Sequence, residues 1–218
     1  MIAALHRANQ LGYPIMIVGA GLPKIYKMLS DEKSYSERLF VYKQIGSLTY
    51  EQSKKAIEEP VKKFKVSYTD DAIDTIVKIT NGYPFFIQQL CQIVYKRTDS
   101  AVITGNDIDL CVNEFFKLLD DGFFKSRYER CAESDKKFVF AMVKCGELPC
   151  TISNVAQNMN KNVGSISTTR AQLINKGIIY PVRYKELDFT VPEFSGYIQR
   201  LDEYKQWCLI DRTNQQKI

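Results

Sequence analysis

The chain has 218 residues, of which 45% are hydrophobic and 25% are charged, and its formal net charge is +5. This composition is typical of a globular protein and excludes disorder of the whole chain, and no apolar run approaches the ~20 residues that a membrane helix needs. We therefore expect a cytoplasmic protein without a membrane partner.

The residue types that most metal and hydrolytic sites require are scarce or scattered. The six cysteines include no C-x-x-C pair, and His6 is the single histidine. Scattered thiols suit a reducing compartment, and neither paired cysteines nor a second histidine are available to complete a zinc site. We predict no metal site, and a nucleophile assisted by histidine is close to excluded.

The first 48 residues combine the end of a helix with one strand-like run. Residues 1–8 have a helical pattern that Gly12 should stop, and residues 14–19 form a short continuous apolar run. Such a run is typical of a strand buried on both faces of a parallel sheet. Because no second run follows, we interpret residues 1–48 as the remnant of an α/β domain. Its exposed strand would pair with another copy of the chain or pack on the next helices.

Residues 49–131 have the pattern of a compact four-helix unit. A capping box begins at Thr49, and Thr69 and Thr104 open two further helices. Asn81 and Gly82 end the second helix, and Pro84 suits the first position of the third.

Residues 132–203 indicate a different architecture. A helix should begin at Ser134, two short helices should span 152–159 and 164–176, and two strands should span 178–184 and 187–191. Helix, helix, turn, helix and a two-stranded hairpin is the element order of a winged helix. A last helix around Tyr197 completes this region, and residues 204–218 are predicted to form a tail.

Charge and polarity distinguish the winged-helix region. From Lys144 to Lys185 six basic residues face one acidic residue, a surplus of five that equals the net charge of the chain. Hydroxyl, arginine and glutamine side chains on a helix can reach phosphates and base edges in the major groove. The sequence predicts a double-stranded DNA site that comprises Ser165, Ser167, Thr168, Arg170, Gln172, Arg183 and Lys185. A winged helix that contacts protein, or packs on its own lid, is the alternative.

Several segments, taken in order, resemble one family. They are residues 4–7, 14–23, 34–40 and 81–88, followed by Asp-Asp-Gly-Phe-Phe at 120–124 and Lys-Gly-Ile-Ile-Tyr at 176–180. Together they resemble the C-terminal part of AAA+/STAND-type P-loop ATPases, the archaeal and bacterial group similar to origin-recognition initiators. The resemblance covers residues 1–200. It implies a mainly α fold with a remnant of the α/β nucleotide-binding domain, a four-helix lid and a winged helix-turn-helix.

The resemblance also implies roles for individual residues. Arg38 matches the position of an arginine finger, which would stabilise charge on a transferred phosphoryl group. Gly82 and Pro84 match the G-x-P motif of STAND lids, whose proline packs against adenine, although a helix stop followed by a helix start explains the same residues. The run Gly19-Ala20-Gly21 stands where the family carries a polar sensor side chain.

The chain lacks the motifs that hold nucleotide phosphates. No G-x-x-x-x-G-K-[ST] and no apolar strand that ends in Asp-Glu occur. We therefore expect a fragment that is not itself an ATPase, with ATP and Mg²⁺ belonging to a longer parent protein. Two functions remain. One is the lid and DNA-binding winged helix of an initiator-type ATPase, and the other is a STAND signalling switch whose winged helix makes autoinhibitory or protein–protein contacts.

Overall fold

Capping hydrogen bonds mark the starts of some helices, including those that follow Thr49 and Thr104, as the sequence predicts, whereas the helix after Thr69 begins without a side-chain cap. The computed structural model describes residues 2–21, 25, 39–43 and 45–215. The chain divides into two units, Met1–Ile45 and Gly46–Ile218. The described chain is mainly α-helical, which confirms the predicted fold class. None of its described helices is both long enough and apolar enough to cross a lipid bilayer.

In the N-terminal unit, helix α1 spans Ile2–Gln10 and a turn follows at Gly12, whose φ is +71°. Residues 13–21 have no regular secondary structure, and the side chains of Met16 and Val18 are 84% and 85% exposed. The strand predicted for 14–19 is therefore wrong. A strand forms only when it exchanges backbone hydrogen bonds with a neighbour, and no described segment of this unit supplies one.

The predicted lid, residues 49–131, begins with the capping box at Thr49. The Gln52 N–H donates to Thr49 Oγ1 at 3.3 Å, and the Thr49 N–H donates to Gln52 Oε1 at 3.0 Å. Two short parallel strands, which the sequence did not indicate, precede α3 and α5. The elements are α2 (Tyr50–Glu58), a 3₁₀ turn (Lys62–Phe64), β1 (Ser67–Tyr68), α3 (Asp70–Thr80), α4 (Pro84–Arg97), β2 (Val102–Ile103), α5 (Gly105–Leu118), a π-helical turn (Leu119–Phe124) and α6 (Lys125–Tyr128).

The C-terminal segment follows the predicted order of elements and adds one strand. A three-stranded antiparallel sheet has the order β3-β5-β4, and the unpredicted β3 places Cys150 opposite Leu187. The elements are α7 (Glu133–Lys144), β3 (Cys150–Thr151), α8 (Ile152–Asn158), a 3₁₀ turn (Gly164–Ile166), α9 (Ser167–Asn175), β4 (Ile179–Arg183), β5 (Glu186–Phe189), α10 (Phe194–Arg200) and α11 (Asp202–Gln215).

Among the boundaries that differ from the sequence prediction, two have a clear physical cause. Helix α7 begins at Glu133 rather than Ser134, because the Asp135 carboxylate accepts the Ala132 N–H at 3.0 Å and caps the helix there. Residues 202–215 form helix α11 where a tail was predicted from residue 204. Its Tyr204 and Trp207 rings pack 5.5 and 5.8 Å from the ring of Phe140, so apolar burial stabilises this last helix.

The predicted lid and the C-terminal segment share one hydrophobic core, in which Phe124 contacts residues of both. The fully buried Phe124 ring lies 5.9 Å from Phe86 of α4 and 6.0 Å from Phe194 of α10, and it stacks on Tyr197 at 5.4 Å. Two polar contacts flank this cluster. Arg200 donates to both carboxylate oxygens of Asp120 at 2.7 and 2.6 Å, and the Tyr128 hydroxyl donates to Glu203 Oε2 at 2.6 Å. The two segments therefore form one body.

Replacing Phe124 should destabilise both segments together. Because Phe124→Ala removes a fully buried ring that contacts both sides, we expect a loss of about 3–5 kcal/mol in the free energy of unfolding, measured by urea titration. Phe85→Ala, which truncates a ring that is 43% exposed, is the control and should cost much less. The wild-type chain should lose the lid and the C-terminal segment in one transition, and two separate transitions would contradict a shared core.

Candidate nucleic-acid interface

Helix α9 is anchored by buried apolar side chains and presents a polar face. Ile166 and Leu173 are buried in the core, whereas Ser165, Thr168 and Gln172 are exposed. Thr168 and Gln172 are four residues apart and lie on one side of α9, and Ser165 lies in the 3₁₀ turn that precedes the helix. The structure therefore leaves three of the predicted contact residues exposed, two of them on one side of α9.

The other predicted residues of this helix have partners or burial of their own. The Ser167 hydroxyl donates to the Gly164 carbonyl at 2.7 Å, and the Ser165 hydroxyl donates to the Asn162 carbonyl at 2.8 Å. Both hydroxyls support the turn before α9 and keep only acceptor capacity for a ligand. Arg170 is half-buried, and its Nε is buried without a hydrogen-bond partner among the described residues.

The β4–β5 hairpin carries the second part of the predicted site at its tip. Its two-residue loop is Tyr184-Lys185, and Lys185 has φ +62°, the left-handed conformation that tight hairpin loops use. Arg183, Tyr184 and Lys185 are exposed, and the Lys185 ammonium lies 5.1 Å from the centre of the Tyr184 ring. The Lys185 carbonyl accepts the Ile152 N–H at 2.9 Å, which ties the tip to the start of α8.

Fewer basic side chains are available to a ligand than the sequence indicated, because some have partners within the protein. Lys176 donates to the fully buried Asp135 carboxylate at 2.5 Å, and Lys144 Nζ lies 5.9 Å from the Trp207 ring. In the hairpin, Glu186 pairs in register with Arg183 and so adds a negative charge beside the tip. Lys176 is therefore paired within the protein, and Lys144 lies near an aromatic ring of α11.

Sequence reasoning did not assign a polar cleft beside α9. This open cleft lies at the turn between α8 and α9 and is lined by Gln157, Asn160, Lys161, Asn162 and Ser165. The Asn162 side-chain oxygen accepts the Ser165 N–H at 2.8 Å and shapes the turn. The polar run Asn160-Lys161-Asn162 was interpreted only as a turn. Its polarity could also have indicated a ligand-binding surface at this position.

The two residues assigned to nucleotide binding occupy the junction between α3 and α4. Gly82 has φ +67°, and an added Cβ would lie 2.5 Å from the Leu48 carbonyl oxygen. The Leu48 N–H donates to the Gly82 carbonyl at 2.8 Å, so the backbone passes closely at this point. Pro84 is exposed at the first position of α4. The turn thus has a structural reason for glycine that does not involve a nucleotide.

The remaining assignments concern Arg38 and metal ions. Arg38 lies outside the described residues. Among the residues that are described, no group of three histidine, cysteine or acidic side chains is arranged to hold a metal ion.

Comparisons with known proteins give two findings. Residues 121–198 match the model of a family described as a domain of unknown function (DUF8462). Three solved structures of Thermotoga maritima RuvB variants are similar to the chain at 14%, 14% and 15% identity, each with a TM-score of 0.36. Each alignment covers 75% of this chain and 53% of the RuvB chain, so the chain spans about half the length of those structures. No curated protein matches the chain.

A substitution at Gly82 should reveal its structural role without any nucleotide present. Gly82→Ala adds both left-handed strain and a clash with Leu48, so we expect a loss of about 1–3 kcal/mol in the free energy of unfolding. Gly146→Ala is the matched control, since Gly146 has φ +84° and nothing within 4 Å of an added Cβ. Equal losses in the two variants, measured by urea titration, would show that the approach of Leu48 does not restrict position 82.

Proposed function

We propose that the chain is part of an AAA+/STAND-type ATPase and supplies its lid together with a DNA-binding winged helix. The resemblance of residues 1–200 to that family supports the first part of this proposal. The order of α7, β3, α8, α9, β4 and β5, with a three-stranded sheet beside three helices, is that of a winged helix. In this assignment α9 is the recognition helix and the β4–β5 hairpin is the wing.

The observation that carries the DNA-binding assignment is the exposure of a polar face on α9. Thr168 and Gln172 of α9 and Ser165 of the preceding turn are exposed, whereas a winged helix that closes on its own lid would present an apolar, covered face there. Hydroxyl and amide side chains at this position can contact phosphates and base edges of a duplex. The exposed Arg183 and Lys185 would contact the backbone or the minor groove from the wing.

The shared core suggests how such a protein would couple its parts. Phe124 contacts α4 on one side and α10 on the other, and Arg200 bridges from α10 to Asp120. A lid that moves in response to nucleotide would therefore carry the winged helix with it. We expect no ATP hydrolysis by this chain alone, because its 218 residues contain no phosphate-binding loop.

The modest positive charge sets the expected strength of DNA binding. Lys161, Arg170, Arg183 and Lys185 remain of the basic residues near the proposed interface, since Lys176 is paired with Asp135. Each neutralised phosphate contributes about −0.9 to the slope of log K against log salt concentration, so two to four contacts predict a slope of about −2 to −4.

Fluorescence anisotropy with a labelled random-sequence duplex, titrated at several salt concentrations, tests the proposal. The wild-type chain should bind in the micromolar range at low salt and weaken with the slope given above. The double variant Arg183→Gln, Lys185→Asn should flatten the slope by about 2, because two phosphate contacts are lost. Asparagine is chosen at position 185 because it tolerates the left-handed backbone.

A control double variant removes the same number of positive charges, but from the predicted lid instead of the hairpin. Lys78→Gln, Lys96→Gln removes two exposed positive charges from α3 and α4 and should leave the slope unchanged. If both double variants flatten the slope alike, binding depends on net charge alone and the assignment to the wing fails. If the wild-type chain does not bind even at low salt, the protein-switch alternative replaces the DNA-binding proposal.

A further inference from the structure

Two aromatic rings lie side by side on the surface of the predicted lid. Phe64 is the last residue of the 3₁₀ turn before β1, and Tyr95 lies in the last turn of α4. Their ring centres are 6.0 Å apart, and the ring planes make an angle of 49°. Phe64 is 55% exposed and Tyr95 is 41% exposed. Much of both rings is therefore open to solvent.

A cleft of about 310 Å³ lies beside the Tyr95 ring. The residues that line it with Tyr95 include the apolar Ile103 and the polar Thr98, Asp99 and Ser100. The Ser100 hydroxyl oxygen accepts the Val102 N–H at 3.1 Å, so the hydroxyl proton is left for a ligand. Such a lining suits a flat ring with polar edges, because the faces meet apolar groups and the edge meets hydroxyl and carboxylate groups.

Lysine side chains flank the exposed Phe64 ring. Lys63 and Lys65 are its neighbours in the chain, and both are exposed. The Lys63 ammonium lies 4.8 Å from the centre of the Phe64 ring. Lys62 is paired with Glu59, whereas Lys63 and Lys65 add positive charge to the surface around the ring. A ligand with both flat rings and negative charge would match these groups.

We propose that this surface binds single-stranded nucleic acid. It consists of Lys63, Phe64, Lys65 and Tyr95, which we call the lid patch, and the adjoining cleft. Proteins hold single strands by stacking bases on exposed aromatic rings and by placing basic side chains at the phosphates. A duplex fits the lid patch less well, because its base faces are already stacked on each other. The proposal concerns a surface separate from α9 and the hairpin, and it does not depend on the DNA-binding winged helix.

The charges of the surface indicate how a strand would lie on it. The Asp99 carboxylate in the cleft would repel a phosphate, whereas it can accept an N–H group on the edge of a base. The bases therefore belong at the rings and in the cleft, and the phosphates belong at Lys63 and Lys65. An anionic membrane is a poorer match, because its phosphates would also approach Asp99.

Fluorescence anisotropy of the whole chain with short labelled oligo(dT) and oligo(rU) tests the lid patch. The wild-type chain should bind at least one of the two at low salt, and the tighter one identifies DNA or RNA as the ligand. Phe64→Leu, Tyr95→Leu keeps apolar side chains but removes both ring faces, so it should weaken this binding by about tenfold or more. Binding of the random-sequence duplex should not change.

Three outcomes of this titration would overturn the proposal. They are the failure of the wild-type chain to bind either oligonucleotide, undiminished single-strand binding by the leucine variant, and equal weakening of its single-strand and duplex binding. Thermal unfolding followed by circular dichroism should give similar curves for the leucine variant and the wild-type chain, because both rings are largely exposed.

A second double variant tests the lysines without changing the rings. Lys63→Gln, Lys65→Asn should flatten the salt dependence of single-strand binding by about 1.4, since each phosphate contact on a single strand contributes about 0.7. Asparagine suits position 65 because Lys65 has φ +58°. The hairpin variant Arg183→Gln, Lys185→Asn is the control and should keep the wild-type slope. If only the hairpin variant weakens single-strand binding, the strand lies at the wing, and the lid patch is refuted while the duplex proposal stands.

Two other anionic partners provide the last comparison. Polyglutamate carries charge but no bases, so it should displace the oligonucleotide only weakly. Vesicles of phosphatidylcholine and phosphatidylserine should not sediment the chain through the lid patch. Displacement by polyglutamate as effective as by unlabelled oligonucleotide, or sedimentation with vesicles that the leucine variant loses, would show an unspecific polyanion or membrane surface and overturn the proposal.

Discussion

The contacts of Phe124 are the constraint on which the larger unit depends. Its ring is fully buried between Phe86 of the predicted lid and the Phe194 and Tyr197 rings of the C-terminal segment. Aromatic rings that bury this much surface contribute several kcal/mol each, so separating the two segments would expose a large part of the core. The predicted lid and the C-terminal segment therefore belong to one compact unit with a single core.

An ion pair between the buried Asp135 and Lys176 is a second constraint on the C-terminal segment. It also means that Lys176 does not add to the positive charge available for DNA. The Asp135 carboxylate caps α7 through the Ala132 N–H and accepts Lys176 Nζ from the end of α9. A buried carboxylate without this partner would be costly, so Lys176 is required by the fold. A basic residue that pairs with a buried carboxylate oxygen is not available to a phosphate. The polarity of the α9 face, more than its charge, supports the DNA-binding proposal.

The G-x-P turn illustrates how one motif can satisfy two requirements. Gly82 adopts a left-handed conformation and lets the Leu48 backbone approach, and Pro84 begins α4. These contacts explain the residues without a nucleotide, while the exposed proline ring stays free for the role that the family resemblance implies. A structural requirement and a ligand contact at one turn are compatible, because the first uses the backbone and the second uses an outward side chain.

The sequence by itself determined the hairpin and most helices of the larger unit, with the exception of α11, because their signals are local. The capping box of Thr49 and Gln52 and the helix stop at Asn81-Gly82 involve residues a few positions apart, so a single-sequence pattern records them. The strands β1, β2 and β3 were missed because two residues carry no periodicity. The strand predicted over residues 14–19 was wrong because its apolar pattern says nothing about a partner.

Only the tertiary structure decided which predicted site residues face outward and which serve the fold. Lys176 meets Asp135 across 41 positions of the chain, and Gly82 meets the backbone of Leu48 from the segment before α2. These contacts depend on how elements that are distant in sequence pack, and local residue patterns do not encode that packing.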